Sequence, residues 1–144
     1  ILKVLPWIAT IDAFQHWIYE NPMHTREERK TYWATLQENY GNPFVDWSGY
    51  EESRTYAWHR QLHLFEVPFY YIEYGISQLG AIGVWKNALQ DKEKAIADYK
   101  AALTLGYTKD IPTIYKTANL KFDFSSKTVQ SLAQFVQKEL KSVS

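Results

Sequence analysis

The sequence has no cysteine, no excess of charge of either sign and no long apolar run. Its 144 residues contain 16 basic and 16 acidic side chains, so the formal net charge is zero. The absence of cysteine excludes disulfides and thiolate metal sites and fits a reducing compartment. The balanced charge gives no electrostatic footprint for nucleic acid or an anionic membrane. We therefore expect a cytoplasmic protein without a nucleic-acid or membrane partner.

No stretch approaches the roughly 18 consecutive apolar residues that a membrane-spanning helix needs. The chain opens with Ile-Leu-Lys-Val-Leu, which lacks the charged region and the cleavage site of a signal peptide. It also opens without methionine, and we therefore expect it to be part of a longer protein. Such a part is expected to expose apolar surface along residues 1–4 and on its last helix, and to self-associate through that surface.

Alternating strand patterns are missing as well, and apolar residues recur at helical spacing almost throughout. The sequence is therefore predicted to be all-α, with one helical unit over residues 1–144. The pattern predicts helices at about 6–19, 25–41, 52–64, 68–90 and 91–106, a short helix after Asp110, and a last helix from Ser125 or Ser126 to about Lys141.

The first predicted helix has one apolar face and one polar face. Trp7, Ile11, Phe14 and Ile18 share the apolar stripe, and the other face carries Asp12, Gln15, His16 and Tyr19. The second helix is predicted to be exposed. Thr25 and Glu28 have the spacing of a capping box at its start, and Gly41 is expected to end it in the left-handed conformation.

The predicted long helix at 68–90 contains three glycines and begins at a proline. Pro68 is placed in its first turn, where a missing N–H costs nothing. Gly75, Gly80 and Gly83 make one side narrow, so a neighbouring helix is expected to pack closely there.

The segment at residues 63–74, His-Leu-Phe-Glu-Val-Pro-Phe-Tyr-Tyr-Ile-Glu-Tyr, has an unusual number of ring donors. If the chain turns at Pro68, the His63 imidazole can approach Tyr70, Tyr71 and Tyr74 on the following helix. An imidazole N–H and a phenol O–H can both donate to an oxyanion. The alternative is that these tyrosines are core residues with hydrated hydroxyls.

Two further interpretations concern the charged and histidine residues near this segment. His59 and His63 have the spacing of two zinc ligands on a helix. Arg60, however, stands where a zinc peptidase motif has its glutamate, so a zinc site here is the weaker interpretation. Glu66 either orients His63 or meets a substrate amino group, or it is a solvated surface residue, and Glu73 is more simply a surface residue.

Residues 63–78 resemble the carboxy-terminal region of the oligoendopeptidase F family, relatives of thimet oligopeptidase. The resemblance is supported by Asp12–Tyr19, by the helix start at Arg26–Arg29 and by Trp58–His63, and it covers most of residues 7–90. It implies a helical bundle-like, C-terminal part of a larger zincin-type oligopeptidase domain that hydrolyses short peptides.

In that family a His-Glu-x-x-His helix and a later glutamate hold zinc, and this sequence has no such motif. The resemblance therefore implies that the Zn²⁺ ligands lie in a missing N-terminal part of the same protein, with no metal ligand in this chain. It implies that His63 and Tyr74 stabilise the oxyanion and that Tyr70 and Tyr71 contact the peptide substrate. The isolated chain is then expected to be inactive. The alternative function is a non-enzymatic helical module that binds peptides or partner helices through its aromatic surface.

Overall fold

The computed structural model describes residues 2–142, and every regular element in that range is helical. The helices are α1 Val4–Glu20, α2 Arg26–Tyr40, α3 Glu51–Thr55, a 3-10 helix Ala57–Arg60, α4 His63–Glu66, α5 Ile72–Gln90, α6 Lys92–Thr104, α7 Ile111–Thr117 and α8 Ser126–Ser142. The all-α prediction is thereby confirmed. No helix in this range is both long and apolar enough to cross a membrane.

The chain forms two compact units, and the boundary between them falls after Gly75, inside α5. The predicted single domain over residues 1–144 stays a prediction. Of the apolar surface expected at residues 1–4, Ile1 lies outside the described residues and Leu2 is exposed. The last helix exposes Val129 and Leu140.

Helices α1 and α2 build the core of the N-terminal unit. The buried cluster consists of Ile11, Phe14, Trp33, Leu36, Ala57 and Trp58. Trp33 is fully buried, its indole Nε1–H donates to the Arg54 carbonyl at 3.0 Å, and Phe14 meets its ring edge at 5.0 Å. The prediction that α2 is exposed is wrong, because this tryptophan makes one face of α2 part of the core.

The ends of α2 show one correct and one wrong prediction. The capping box is confirmed, since Thr25 accepts from the Glu28 N–H and the Glu28 carboxylate accepts from the Thr25 N–H. Gly41, however, is extended, with φ −68° and ψ 165°. Glycine is required there by space, because a Cβ would lie 2.1 Å from the Gln37 carbonyl oxygen.

The single helix predicted at 52–64 is instead three short helices separated by non-helical residues. A tertiary hydrogen bond lies at the first break. The Arg54 carbonyl accepts from the Trp33 indole, and Ala57 and Trp58, which follow in the 3-10 helix, are both buried in the core.

In the C-terminal unit the predicted caps and the narrow face of α5 are present. Asp91 accepts from the Lys94 N–H and Asp110 from the Thr113 N–H, each at 3.0 Å. A Cβ on Gly80 would lie 2.7 Å from the Tyr115 hydroxyl oxygen. The close approach expected from the glycines is therefore real at this position.

Candidate active site

A tight turn between α4 and α5 creates the candidate site. The Tyr70 N–H donates to the Val67 carbonyl at 3.2 Å, and Phe69, the third residue of the turn, has φ +60°. Pro68 thus occupies the second position of a β-turn, where φ near −65° is also preferred. The prediction that Pro68 starts the long helix is wrong, because α5 begins only at Ile72.

Positive φ is unfavourable for phenylalanine by roughly 1–2 kcal/mol, and contacts from α1 hold Phe69 in place. Its N–H donates to the Gln15 side-chain oxygen at 2.8 Å. Its ring meets the rings of His16 and Tyr19 at centroid distances of 4.9 and 5.0 Å. Gln15 is predicted on the polar face of α1, but it is only 3% exposed, and its side-chain oxygen accepts this bond.

The turn brings His63, Tyr70, Tyr71 and Tyr74 together, and we call these four residues the ring cluster. The His63 ring lies 4.9 Å from Tyr71, 5.7 Å from Tyr74 and 6.1 Å from Tyr70, between ring centroids. The Tyr74 hydroxyl lies 3.4 Å from His63 Nε2. The cluster expected from the sequence is therefore formed, and Tyr74 is the tyrosine whose hydroxyl meets the imidazole.

The members of the ring cluster differ in their exposure. Tyr70 is 43% and Tyr74 42% exposed, whereas His63 is half-buried and Tyr71 packs against the core of the N-terminal unit. His63 and Tyr74 therefore place an imidazole nitrogen and a phenol O–H beside each other at an accessible surface. When Nε2 carries a proton, the two groups are converging donors that can stabilise a negative oxygen.

The other side of His63 meets a residue that the sequence interpretation missed. Gln61 Nε2 lies 2.7 Å from His63 Nδ1, and Gln61 Oε1 accepts from the Trp7 indole at 3.1 Å. Glu66, which the sequence offers as one candidate for orienting His63, is exposed on α4. A glutamine two positions before a histidine carries no recognisable signal, since its partner Trp7 is 54 residues away.

The residues present do not fit a resident zinc ion. Within residues 2–142 no group of three His, Cys, Asp or Glu side chains could hold a metal. His59 is exposed and stacks with Tyr56 at 5.3 Å, in the 3-10 helix that ends at Arg60 before α4 begins at His63. The helical spacing that suggested a His59–His63 pair is therefore absent.

The remaining two histidines make local contacts. His16 Nδ1 lies 3.0 Å from the Asp12 carbonyl oxygen and 3.5 Å from its carboxylate. Burial raises the pKa of Asp12, and the charge of His16 partly opposes this. His24 Nε2 accepts from Arg29 Nε at 2.7 Å. Both histidines therefore make local structural contacts outside the ring cluster.

An open cavity of about 510 Å³ lies in the C-terminal unit, between α5, α7 and α8. Gly80, Lys86, Tyr115 and Lys127 are among the residues that line it, and no member of the ring cluster does. Cavity size alone therefore does not identify the ring cluster, which is distinguished by its convergent donors.

Comparison with known proteins extends the resemblance beyond residue 90. The model of peptidase family M3 matches residues 4–134. A solved structure described as a suspected oligoendopeptidase F is 36% identical with a TM-score of 0.85, and PZ peptidase A with an inhibitor is 34% identical with a TM-score of 0.84. Each match covers 96% of this chain and 25% of the other chain.

No curated protein sequence matches the chain. The chain spans about a quarter of the length of the two solved structures. The family model nevertheless covers nearly all of it, including the turn and the ring cluster. The chain belongs to peptidase family M3.

Proposed function

We propose that this chain is the C-terminal part of a zinc-dependent oligoendopeptidase that hydrolyses short peptides. In this proposal His63 and Tyr74 donate hydrogen bonds to the oxyanion that develops when water attacks the scissile carbonyl. Tyr70 and Tyr71 contact the peptide beside it.

The observation that carries the proposal is the pairing of His63 Nε2 with the Tyr74 hydroxyl at 3.4 Å. The two groups come from either side of the turn, and Tyr74 is partly exposed. Donors already held in place need little reorganisation when charge develops, which is the basis of oxyanion stabilisation. Membership of a peptidase family supplies a reaction that forms such an oxyanion.

The zinc ligands are proposed to lie in another part of the same protein, because the residues of this chain do not fit the ion. Zinc would supply Lewis-acid polarisation of the carbonyl and activation of the attacking water. This chain contributes the two donors and the aromatic surface. The isolated chain is accordingly proposed to be inactive, and hydrolysis of a peptide by the purified 144-residue chain would contradict this part.

The test is Tyr74→Phe in the longer enzyme, assayed with a fluorogenic peptide. Loss of one oxyanion donor should lower kcat by about 10²–10³-fold with little change in KM. Tyr70→Phe should act mainly on KM, since its proposed contact is to the bound substrate.

Tyr99→Phe is the matched control, because Tyr99 is similarly exposed, at 46%, on α6. It should leave both kinetic constants unchanged. If Tyr74→Phe lowers kcat no more than Tyr99→Phe, Tyr74 does not stabilise the oxyanion. If the longer protein binds peptides without cleaving them, the non-enzymatic binding module replaces the peptidase.

A further inference from the structure

The side of His63 that faces away from Tyr74 is held by a chain of hydrogen bonds from α1. The Trp7 indole Nε1–H donates to Gln61 Oε1 at 3.1 Å, and Gln61 Nε2 meets His63 Nδ1 at 2.7 Å. The chain continues on the other side of the ring, where His63 Nε2 meets the Tyr74 hydroxyl at 3.4 Å. We call the first three residues the Trp7–Gln61–His63 relay.

The direction of every bond in this relay follows from the chemistry of the indole. An indole N–H can only donate, so the group that faces Trp7 must be the amide oxygen of Gln61. The amide nitrogen then faces His63, and this nitrogen also only donates. Reversing the amide would place two donors against each other at Trp7 and leave the orientation of Gln61 unsupported.

This orientation of the Gln61 amide determines the tautomer of the His63 imidazole. His63 Nδ1 must accept the bond from Gln61, so it carries no proton, and a neutral ring then carries its proton on Nε2. Nε2 is the nitrogen beside the Tyr74 hydroxyl. A histidine with the opposite tautomer would present a lone pair there and would repel a negative oxygen.

We infer that Gln61, oriented by Trp7, is a positioning residue that fixes His63 as its Nε2–H tautomer. The catalytic meaning of this inference rests on the proposed function, whereas the tautomer itself does not. Trp7 is well placed for the task, because its ring meets the edge of the fully buried Trp33 at 5.8 Å. The core of the N-terminal unit thereby determines which hydrogen-bonding group His63 offers.

The direct test is ¹⁵N NMR of the histidine side chains in the 144-residue chain. Spectra are recorded about two units above the ordinary histidine pKa of about 6.5, and a His63→Ala variant identifies the His63 signals. We expect the proton of His63 on Nε2. A proton on Nδ1 in the wild-type chain would overturn the inference without any variant.

Gln61→Glu provides the sharpest perturbation, since it replaces only the amide nitrogen by an oxygen. A carboxylate accepts from both Trp7 and His63, so His63 should acquire a proton on Nδ1. If the His63 proton stays on Nε2 alone in this variant, Gln61 does not set the tautomer. Dispersed amide spectra of both chains verify that they are folded.

Activity of the longer enzyme gives a second measurement. While the His63 ring is neutral, Gln61→Glu places its proton on Nδ1 and should lower kcat by about 10²-fold or more, as wrong tautomers do in other enzymes. The doubly protonated ring carries Nε2–H again, so the loss in this variant should shrink as pH falls. Gln61→Leu removes the constraint without reversing it, so its loss should be smaller. A purely structural role predicts the opposite order, because glutamate matches the shape of glutamine and leucine does not.

The two proposals can fail separately. If NMR shows the Nε2–H tautomer and Tyr74→Phe leaves kcat unchanged, the role of Gln61 stands and the oxyanion role of Tyr74 is excluded. If NMR shows the Nδ1–H tautomer and Tyr74→Phe lowers kcat, the role of Gln61 is excluded and the oxyanion role of Tyr74 stands.

Discussion

Replacing Gly80 with alanine tests how closely α5 is packed in the C-terminal unit. The new Cβ would lie 2.7 Å from the Tyr115 hydroxyl oxygen and 3.1 Å from the ring carbon that bears it. The hydroxyl cannot simply move away, because it donates to the Ile76 carbonyl at 2.9 Å. The ring is also held edge-on against Phe122, at 5.1 Å.

The expected change in the free energy of unfolding on Gly80→Ala combines one stabilising contribution with two destabilising ones. Alanine stabilises a helix interior by about 1 kcal/mol relative to glycine. Overpacking costs about 1–3 kcal/mol, and loss of the Tyr115 hydrogen bond about 1 kcal/mol more. We therefore expect Gly80→Ala to lower the free energy of unfolding by about 1–3 kcal/mol.

Gly75→Ala on the same helix is the matched control. Its Cβ would lie 3.2 Å from the γ2 methyl group of Ile8, which is 0.5 Å longer than the 2.7 Å contact at Gly80. Most of the helix-propensity gain should survive, so this variant should be neutral or stabilised by up to about 1 kcal/mol.

Urea unfolding followed by far-UV circular dichroism measures both variants, and hydrogen exchange of residues 76–90 locates the effect. Tyr115→Phe removes the nearest oxygen, so Gly80→Ala should cost at least about 1 kcal/mol less in that background. A Gly80→Ala chain as stable as Gly75→Ala, or one unaffected by Tyr115→Phe, would refute the packing described here.

Three further predictions concern the core, a cap and metal binding. Trp33→Phe leaves a cavity and removes the bond to the Arg54 carbonyl, so urea unfolding should show a loss of about 2–4 kcal/mol; a loss below about 1 kcal/mol would contradict its burial. Hydrogen bonds from the Thr25 backbone and hydroxyl lower the pKa of Glu28. The stabilisation of the fold by ionised Glu28 is therefore present above the unfolded pKa and is lost as pH falls through the lower folded pKa. The wild-type chain should lose more stability than Glu28→Gln between about pH 5 and pH 3. Identical stability profiles of the two chains against pH would exclude this. In calorimetric titration the chain should bind Zn²⁺ more weakly than about 1 µM, and tighter binding abolished by His59→Ala would restore the local zinc site.

Local chemistry made much of the fold predictable from the sequence. The capping box at Thr25 and the aspartate caps at Asp91 and Asp110 need only residues within one turn, and all three are present. The apolar stripe of α1 is also correct, since Ile11 and Phe14 are fully buried. These features depend on spacing along one helix, and spacing is what a sequence shows directly.

The errors arose where a distant residue decides between two local conformations. Proline prefers the same φ in a first helical turn and in the second position of a β-turn. The choice at Pro68 depends on the next residue, whose positive φ is supported by Gln15. Gln15 lies 54 positions earlier in the chain, so the pattern around Pro68 could not reveal it.

The tyrosines of the ring cluster differ in how far packing alone explains them. Tyr71 packs against the core of the N-terminal unit, as a core tyrosine with a polar tip would. Tyr70 and Tyr74 remain more than two-fifths exposed, although both rings contact His63. An exposed ring gains little from apolar burial, so packing alone does not require tyrosine at these two positions. Because Tyr74 also places its hydroxyl beside His63, it is the member of the ring cluster whose substitution best separates the proposed catalytic role from a contribution to stability.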